Sequence, residues 1–369
     1  MTHIGEVASY YYLDYRTVGN FQDAVQKISS DASIENLVRL LSNAIEFSEL
    51  PVRHNEDEMN LELSYTLPWP AEVEEMDNSH TKAFLLLQAH FFRKTLPISD
   101  YINDTKSVLD QIPRVLNALI DIIAEQKQLV NVLNLMKVSQ MVVQGLGPDD
   151  PDIMQLPQVD HDTISSLARL QKSSLVDLIG LTRDQVNSIF RILDYLYDRL
   201  HRKYTLHPIA QVMHTCRELV PSGDISHLLR VIGDLPGFSV QLSIRRSESE
   251  STEWKLLEST VGGASNSSAP YSLAINTLFD LQVSINRTHG DGRAKAYSPR
   301  FHKPKIPSWW LILGHMETGE VLGFKRIGEI GKKLVTHLEF LPPNIPEERG
   351  ILSLFLVADG TLLISFRFY

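Results

Sequence analysis

One stretch, DTKSVLDQIPRVLNALIDIIAEQ over residues 104–126, constrains whatever packs around it. At 100° per residue, Lys106, Asp110, Arg114, Asn117, Asp121 and Glu125 fall within an arc of about 100°. Val108, Leu109, Ile112, Val115, Leu116, Leu119, Ile120, Ile122 and Ile123 cover about 160° of the other side. A helix that is apolar over so much of its circumference is surrounded by neighbours, and only its polar stripe is free to meet water, a groove or a ligand. The stripe has two readings: the solvated edge of a central bundle helix, or the lining of a nucleic-acid channel. Pro113 removes one backbone donor inside the pattern, so a kink or a loosened turn is expected there.

Residues 4–146 carry helical periodicity almost throughout. Ile4, Val7, Ala8, Tyr11, Tyr12, Tyr15 and Val18 share a face of a first helix. Its tyrosines are expected in the core with hydroxyls at the rim, a stacking platform being the other reading. Ser33 is an N-cap for a second helix that buries Leu37, Leu40, Leu41, Ala44 and Ile45. Asn55 with Glu58 three residues on opens a third, so the string HNEDE reads as a helix cap and a solvated acidic turn. From Ser79 the run HTKAFLLLQAHFFRKTL is so apolar that it must lie inside. A further helix over 128–144 ends at Gly145, Gly147 and Pro148.

From Asp149 to His201 the helices become short, DHDTISSLARL then SSLVDLIG then a longer one opened by Thr182 and Gln185, which together read as a helix-loop-helix unit. After Pro236 the period becomes two. Phe238, Val240, Leu242 and Ile244 alternate with polar residues, as do Phe279, Leu281, Val283 and Ile285. Later runs at WWLILGH, EVLGFKR, LVTHLEF, ILSLFLV and TLLISFRF complete an antiparallel sandwich. The serine- and glycine-rich stretch 247–270 is expected to be a long flexible loop. The fold class is therefore α+β in three parts: a helical bundle over 1–148, a helix-loop-helix domain with connecting helices over 149–235, and a β-sandwich over 236–369.

Several functions find no support. The nearest string to a phosphate-binding loop, IGEIGKKL, fails in spacing and in its final hydroxyl. His207, His214 and Cys216 lack a fourth partner at zinc spacing, and no nucleophile elbow is present. Neither catalysis, metal nor cofactor is expected. No run approaches the ~18 apolar residues of a membrane span, and MTHIGEVASYYYLDY lacks the layout of a signal peptide. Cys216 is the only cysteine, which fits a reducing compartment.

A net charge of −10 argues against strong non-specific nucleic-acid binding, but that charge is unevenly placed. Residues 43–78 hold ten Asp and Glu against Arg53 alone, whereas residues 287–337 hold ten Lys and Arg against four acids. Within the basic part, Arg293, Lys295, Arg300, Lys303 and Lys305 precede Trp309 and Trp310. Strand alternation puts one tryptophan in the core and the other near the rim, where an aromatic beside cations fits an acidic protein partner.

The strings LPVRHNEDEMN from Leu50, HTKAFLLLQAH from His80, DTKSVLDQIPRVLNALIDI from Asp104, and SPRFHKP from Ser298 followed by WWLILG resemble a known family. It is the Sec sixty-three homology unit that closes each helicase cassette of the large Ski-two-like RNA helicases. IGEVASYYYLDYRTV looks like that unit's opening helix, so the resemblance covers nearly the whole chain. It is strongest to the signal-cointegrator branch and next to the spliceosomal branch.

The resemblance implies that the sandwich is immunoglobulin- or fibronectin-like and that single-stranded RNA or DNA passes beside the central helix, with Lys106, Arg114 and Asn117 facing it. It also implies residence in nucleus and cytosol, and roles in transcription co-activation, DNA alkylation repair and ribosome quality control. Two functions follow: a docking scaffold for protein subunits of a helicase complex, or an accessory that guides a single strand for helicase motor domains.

Overall fold

A 27-residue helix, α6 (Ser99–Glu125), occupies the centre of the helical half, starting earlier than its periodicity indicates and continuing through Pro113. In the computed structural model the described residues are 3–157, 159, 164–165, 167–168, 171, 174–179, 225–247, 254–261, 264–267, 273–343 and 351–361. Among them the chain is α+β, with eight α-helices and two antiparallel sheets.

The single first helix expected from periodicity is two, α1 (His3–Tyr11) and α2 (Tyr15–Val25). Asp14 is extended and accepts from the Arg16 amide, which caps α2, and Tyr12 turns the chain at φ 53°. The break moves Tyr12 and Tyr15 off the expected core face, leaving them 85% and 72% exposed. In α3 (Ile34–Ser42) the Ser33 hydroxyl caps the Asn36 amide as its sequence predicts. In α4 (Glu56–Ser64) it does not happen so: Asn55 is left-handed at φ 64° and makes no side-chain cap. α5 (Ser79–Phe91) buries almost its whole length, and α7 (Leu129–Gln144) ends at left-handed Gly145. α8 (Ile225–Asp234) leads into the β region.

β1 (Gly237–Arg246), β2 (Lys255–Val261), β3 (Ala264–Ser267), β4 (Phe279–His289) and β7 (Lys333–Phe340) form one sheet in the order β3-β2-β1-β4-β7. β5 (Trp309–His315), β6 (Glu320–Ile327) and β8 (Leu352–Ala358) form the other, in the order β6-β5-β8. The alternation seen in the sequence sets the register: Val240 faces Ile285, Leu242 faces Val283 and Ile244 faces Leu281 across β1 and β4. Two strands, β2 and β3, lie within the stretch expected to be loop, paired with β1 and with each other. The backbone there satisfies its hydrogen bonds by extending the sheet, which the low apolar content of the sequence does not announce.

β5 is buried on both faces and along its whole length. Trp309, Leu311 and Leu313 enter the core between the two sheets, with Phe238, Leu281 and Leu356. Trp310 and Ile312, with Val321, Phe355 and Val357, join the core of the helical bundle. The three-stranded sheet is thus a middle layer between helices and the larger sheet. Backbone bonds knit the layers: the Leu129 amide donates to Gly319 O at 2.9 Å, and the Val321 amide to Lys127 O at 2.9 Å. Side chains of α7 finish the join, Gln140 donating to Ala358 O at 2.8 Å and Ser139 to Asp359 O at 3.0 Å.

A third apolar cluster gathers Ile153, Leu167, Leu175, Leu178, Leu228 and Ile232. Most of the expected helix-loop-helix unit, the candidate ligands His207, His214 and Cys216, and the last predicted strand from Thr361 onward except Thr361 itself lie outside the described residues.

The contact between α7 and β5 depends on Gly314, where an added Cβ would stand 2.6 Å from Leu129 Cδ2. Gly314→Ala is expected to cost about 1–3 kcal/mol by overpacking. In urea unfolding, Gly314→Ala combined with Leu129→Ala should cost less than the sum of the single changes. Full additivity would place the strain elsewhere.

Candidate functional site

The polar stripe of α6 is the natural place to look for function, and the β region already sits on much of it. Asp110 is paired with Lys303, and His302 Nε2 lies 2.6 Å from its Oδ1. Further along, Arg326 donates to Asp121 Oδ1 at 2.6 Å and to Asn117 O at 2.9 Å. Tyr11 of α1 donates to the other Asp121 oxygen at 2.5 Å. Burial, then this hydrogen bond, pushes the Tyr11 phenol well above its usual range. The hydrogen bond from Lys303 holds the Asp110 carboxyl below the ordinary range, against the opposing effect of burial and with help from His302.

The residues expected to face a strand differ in availability. Lys106 is exposed near the start of the stripe. Arg114 is half-buried and engaged: its guanidinium donates to Gln111 and, at 2.7 Å, to Tyr12 O. Asn117 is also half-buried, its amide donating to Pro113 O at 2.7 Å. The structure brings Arg114 and Asn117 to adjacent turns of one face, but gives both to intrachain partners.

The basic segment divides in the same way. Arg293, Lys295 and Arg300 are exposed and have no carboxylate partner among the described residues. Lys303 belongs to Asp110, and Lys305 donates to Asp359 Oδ2 at 2.5 Å, where Ser308 also binds. The expectation of one rim tryptophan fails. Trp309 and Trp310 are 4% and 3% exposed, because a strand covered on both faces has no rim. Trp309 meets Phe238 edge-on at 5.0 Å, and Trp310 faces the bundle, so neither is offered to an outside partner.

Periodicity did not single out the most tightly built polar cluster. Lys82, fully buried in α5, donates to Pro51 O at 2.7 Å, Glu56 Oε2 at 2.6 Å and Asp104 Oδ2 at 2.7 Å. Arg53 bridges the same carboxylates, reaching Glu56 Oε1 and Asp104 Oδ2 at 2.7 Å each. Tyr101 lies under the ammonium at 4.5 Å and donates to Asn60 Oδ1 at 2.8 Å. Burial pushes both carboxyls up, but the hydrogen bonds from Lys82 and Arg53 outweigh it and hold them below their usual range. Glu56 is therefore an interior anion and not part of a solvated acidic turn. The signal was present: Lys82 stands at the head of the apolar run that begins at Ala83, in a helix expected to lie inside, and Asp104 lies off the polar stripe.

The described residues contain no group of three or more His, Cys, Asp and Glu arranged to hold a metal, and no helix long and apolar enough to cross a membrane. A helical bundle and a β region are joined here through one core. The chain belongs to the Sec63 Brl domain family, a helicase-associated region, whose sequence model matches residues 1–360.

Its relatives are large. Activating signal cointegrator 1 complex subunit 3 of Homo sapiens is 34% identical over 363 residues, which are 96% of this chain and 16% of that protein. The DExH-box ATP-dependent RNA helicase DExH14 of Arabidopsis thaliana is 33% identical over 360 residues, covering 97% of this chain and 14% of the helicase. The chain therefore spans about a sixth of the relatives it matches. A DNA-bound alkylpurine DNA glycosylase AlkC of Pseudomonas fluorescens aligns over 99% of this chain and 96% of its own at 12% identity. Its TM-score of 0.17 is too low to establish a shared fold.

Because both buried carboxyls titrate lower in the folded than in the unfolded chain, their contribution to stability is complete above about pH 5 and fades as pH falls through the folded values. Lys82→Met removes one cation from a buried network, for which a loss of about 3–5 kcal/mol is expected at neutral pH. Urea unfolding at neutral pH and again at about pH 3 should show that loss shrinking in acid, as the carboxyls become neutral. A loss independent of pH would assign Lys82 a packing role instead.

Proposed function

We propose that the chain is a non-catalytic, helicase-associated module that acts as a protein-docking scaffold in a helicase complex. The occupancy of the α6 stripe carries this reading, since Asp110, Asn117 and Asp121 are held by His302, Lys303 and Arg326. Little of that face is left for a strand to follow. Exposed Arg293, Lys295 and Arg300 instead offer cations to an acidic protein surface. Relatives named as subunits of the activating signal cointegrator 1 complex support protein partners, helicase motor domains among them. The family resemblance extends the proposal to transcription co-activation, DNA alkylation repair and ribosome quality control, in nucleus and cytosol.

The architecture we propose for such a module is a bundle over 1–148, a helix-loop-helix domain over 149–235 and an immunoglobulin-like sandwich over 236–369. Apolar clusters centred on the helices, on the space between the sheets and on residues 153–235, together with the five- and three-stranded antiparallel sheets, support it, although the first cluster also takes in Trp310, Ile312 and Phe355 of the β region.

A second reading, guidance of single-stranded RNA or DNA past Lys106, Arg114 and Asn117, draws on one observation. Tyr12 and Tyr15 are exposed, and the Tyr12 carbonyl receives the Arg114 guanidinium. Exposed aromatic rings next to a cation are a sequence-tolerant platform for bases.

Arg293→Glu, Lys295→Glu and Arg300→Glu in one variant should abolish co-purification of helicase-complex subunits with the tagged chain at an unchanged melting temperature. Lys303 and Lys305 are left intact because Asp110 and Asp359 already engage them within the chain. Retention of every partner would locate docking elsewhere.

The second reading is tested by titrating labelled single-stranded RNA at two salt concentrations. There Arg114→Glu should weaken binding and flatten its salt dependence. An unchanged titration leaves the stripe as an internal interface.

A further inference from the structure

Between α8 and the segment over 294–297 lies a cleft of about 430 Å³, within the size range of sites that enclose a small ligand or a few side chains. Its walls are mixed: Leu156, Val231, Leu235, Tyr297 and Pro307 give the larger, apolar part, and Gln155, His227 and Thr361 add polar groups. Arg230 and Lys295 also line it, and Asp234 is the one acidic side chain among the lining residues. Both cations are exposed, and neither has a hydrogen bond or an ion pair among the described residues. Two unpaired cations beside a mainly apolar hollow are what an acidic segment with an apolar anchor requires.

The wall is built before any partner arrives. Tyr297 stands edge-on to His227 at 5.3 Å, and its carbonyl accepts from Gln144 of α7 at 3.1 Å. The neighbouring Ala296 amide donates to Lys305 O at 2.9 Å, tying the segment through an isolated bridge to the stretch that leads into β5. A preformed seat lowers the ordering cost of binding. The alternative occupant, a nucleic-acid strand, needs open ring faces in series, and the ring of Tyr297 is half-buried against His227.

We infer that this cleft seats an acidic peptide segment of a protein partner, with one large apolar side chain between Val231, Leu235 and Tyr297 and its carboxylates on Arg230 and Lys295. The inference rests on the docking reading above and narrows it to one place and one partner chemistry.

The test pans a random peptide display library against the whole chain and measures the selected peptides by fluorescence polarisation. Selected sequences should be rich in Asp and Glu around one Leu, Phe or Trp. Arg230→Glu with Lys295→Glu should weaken them about tenfold or more, as expected for reversed rim charges. Ala294→Trp, which fills the cleft without changing charge, should weaken them similarly, with the melting temperature of each variant as the control for folding.

The inference is overturned if the library yields no binder, if binders lack an acidic bias, or if they are indifferent to both variants. It is also overturned if oligouridylate displaces them and binds more tightly. The two proposals separate in co-purification. Partners lost by the Arg293, Lys295 and Arg300 variant but retained by Arg230→Glu and Ala294→Trp would sink the cleft and leave the scaffold standing.

Discussion

The ammonium of Lys82 has to be satisfied inside the protein, and much of the helical half is arranged around that requirement. An ion that size costs several kcal/mol to take out of water, and only paired charges with good geometry offset it. The three acceptors at 2.6–2.7 Å use all three of its donors. They come from the turn before α4, from α4 itself and from α6, while Lys82 projects from α5. Arg53 then saturates the same two carboxylates from the solvent side. The effect is orientational as much as energetic, because α4, α5 and α6 can meet the network only in one relative position. Three of the strings that carry the family resemblance supply these charges: Arg53 and Glu56, Lys82, and Asp104.

With α6 fixed on one side, its other side becomes the platform for the β region. The uneven charge of the chain is spent partly within the chain: acids on the stripe at Asp110 and Asp121 receive cations from the basic part at Lys303 and Arg326. Such pairs are half-exposed and individually add little stability. They align a joint whose strength comes from apolar burial, in which Trp310, Ile312 and Phe355 enter the bundle core. A strand buried on both faces is the hinge of this arrangement, and it explains why two adjacent tryptophans are both interior.

The same economy bears on function. Charges that look available in the sequence are consumed by the fold, and those left over mark the surfaces that remain for partners. Among the described residues, Lys106 on α6, Arg230 on α8 and, on the β region, Arg293, Lys295 and Arg300 are among the exposed cations with no carboxylate partner. Exposed Tyr12 and Tyr15 arise from a helix break that periodicity smooths over, because the side chains on either side keep an apparently continuous apolar face.

The sequence by itself determined the α+β class, the helices α3, α5, α6 and α7, and the pairing faces of β1 and β4, because each is written in local spacing of 3.6 or 2 residues. It also determined the family, through motifs several residues long in a fixed order. Only the tertiary structure decided which charges are free. Asp110 and Lys303 are 193 positions apart, and Lys82 and Asp104 are 22 apart, distances over which no periodicity operates. β2 and β3 were decided in the same way, since within a stretch rich in Ser, Gly and Glu their place is set by pairing with a neighbouring strand and not by a period-two pattern of their own. Whether a polar side chain ends as a ligand contact, an internal clamp or a buried ion depends on what the fold brings opposite it.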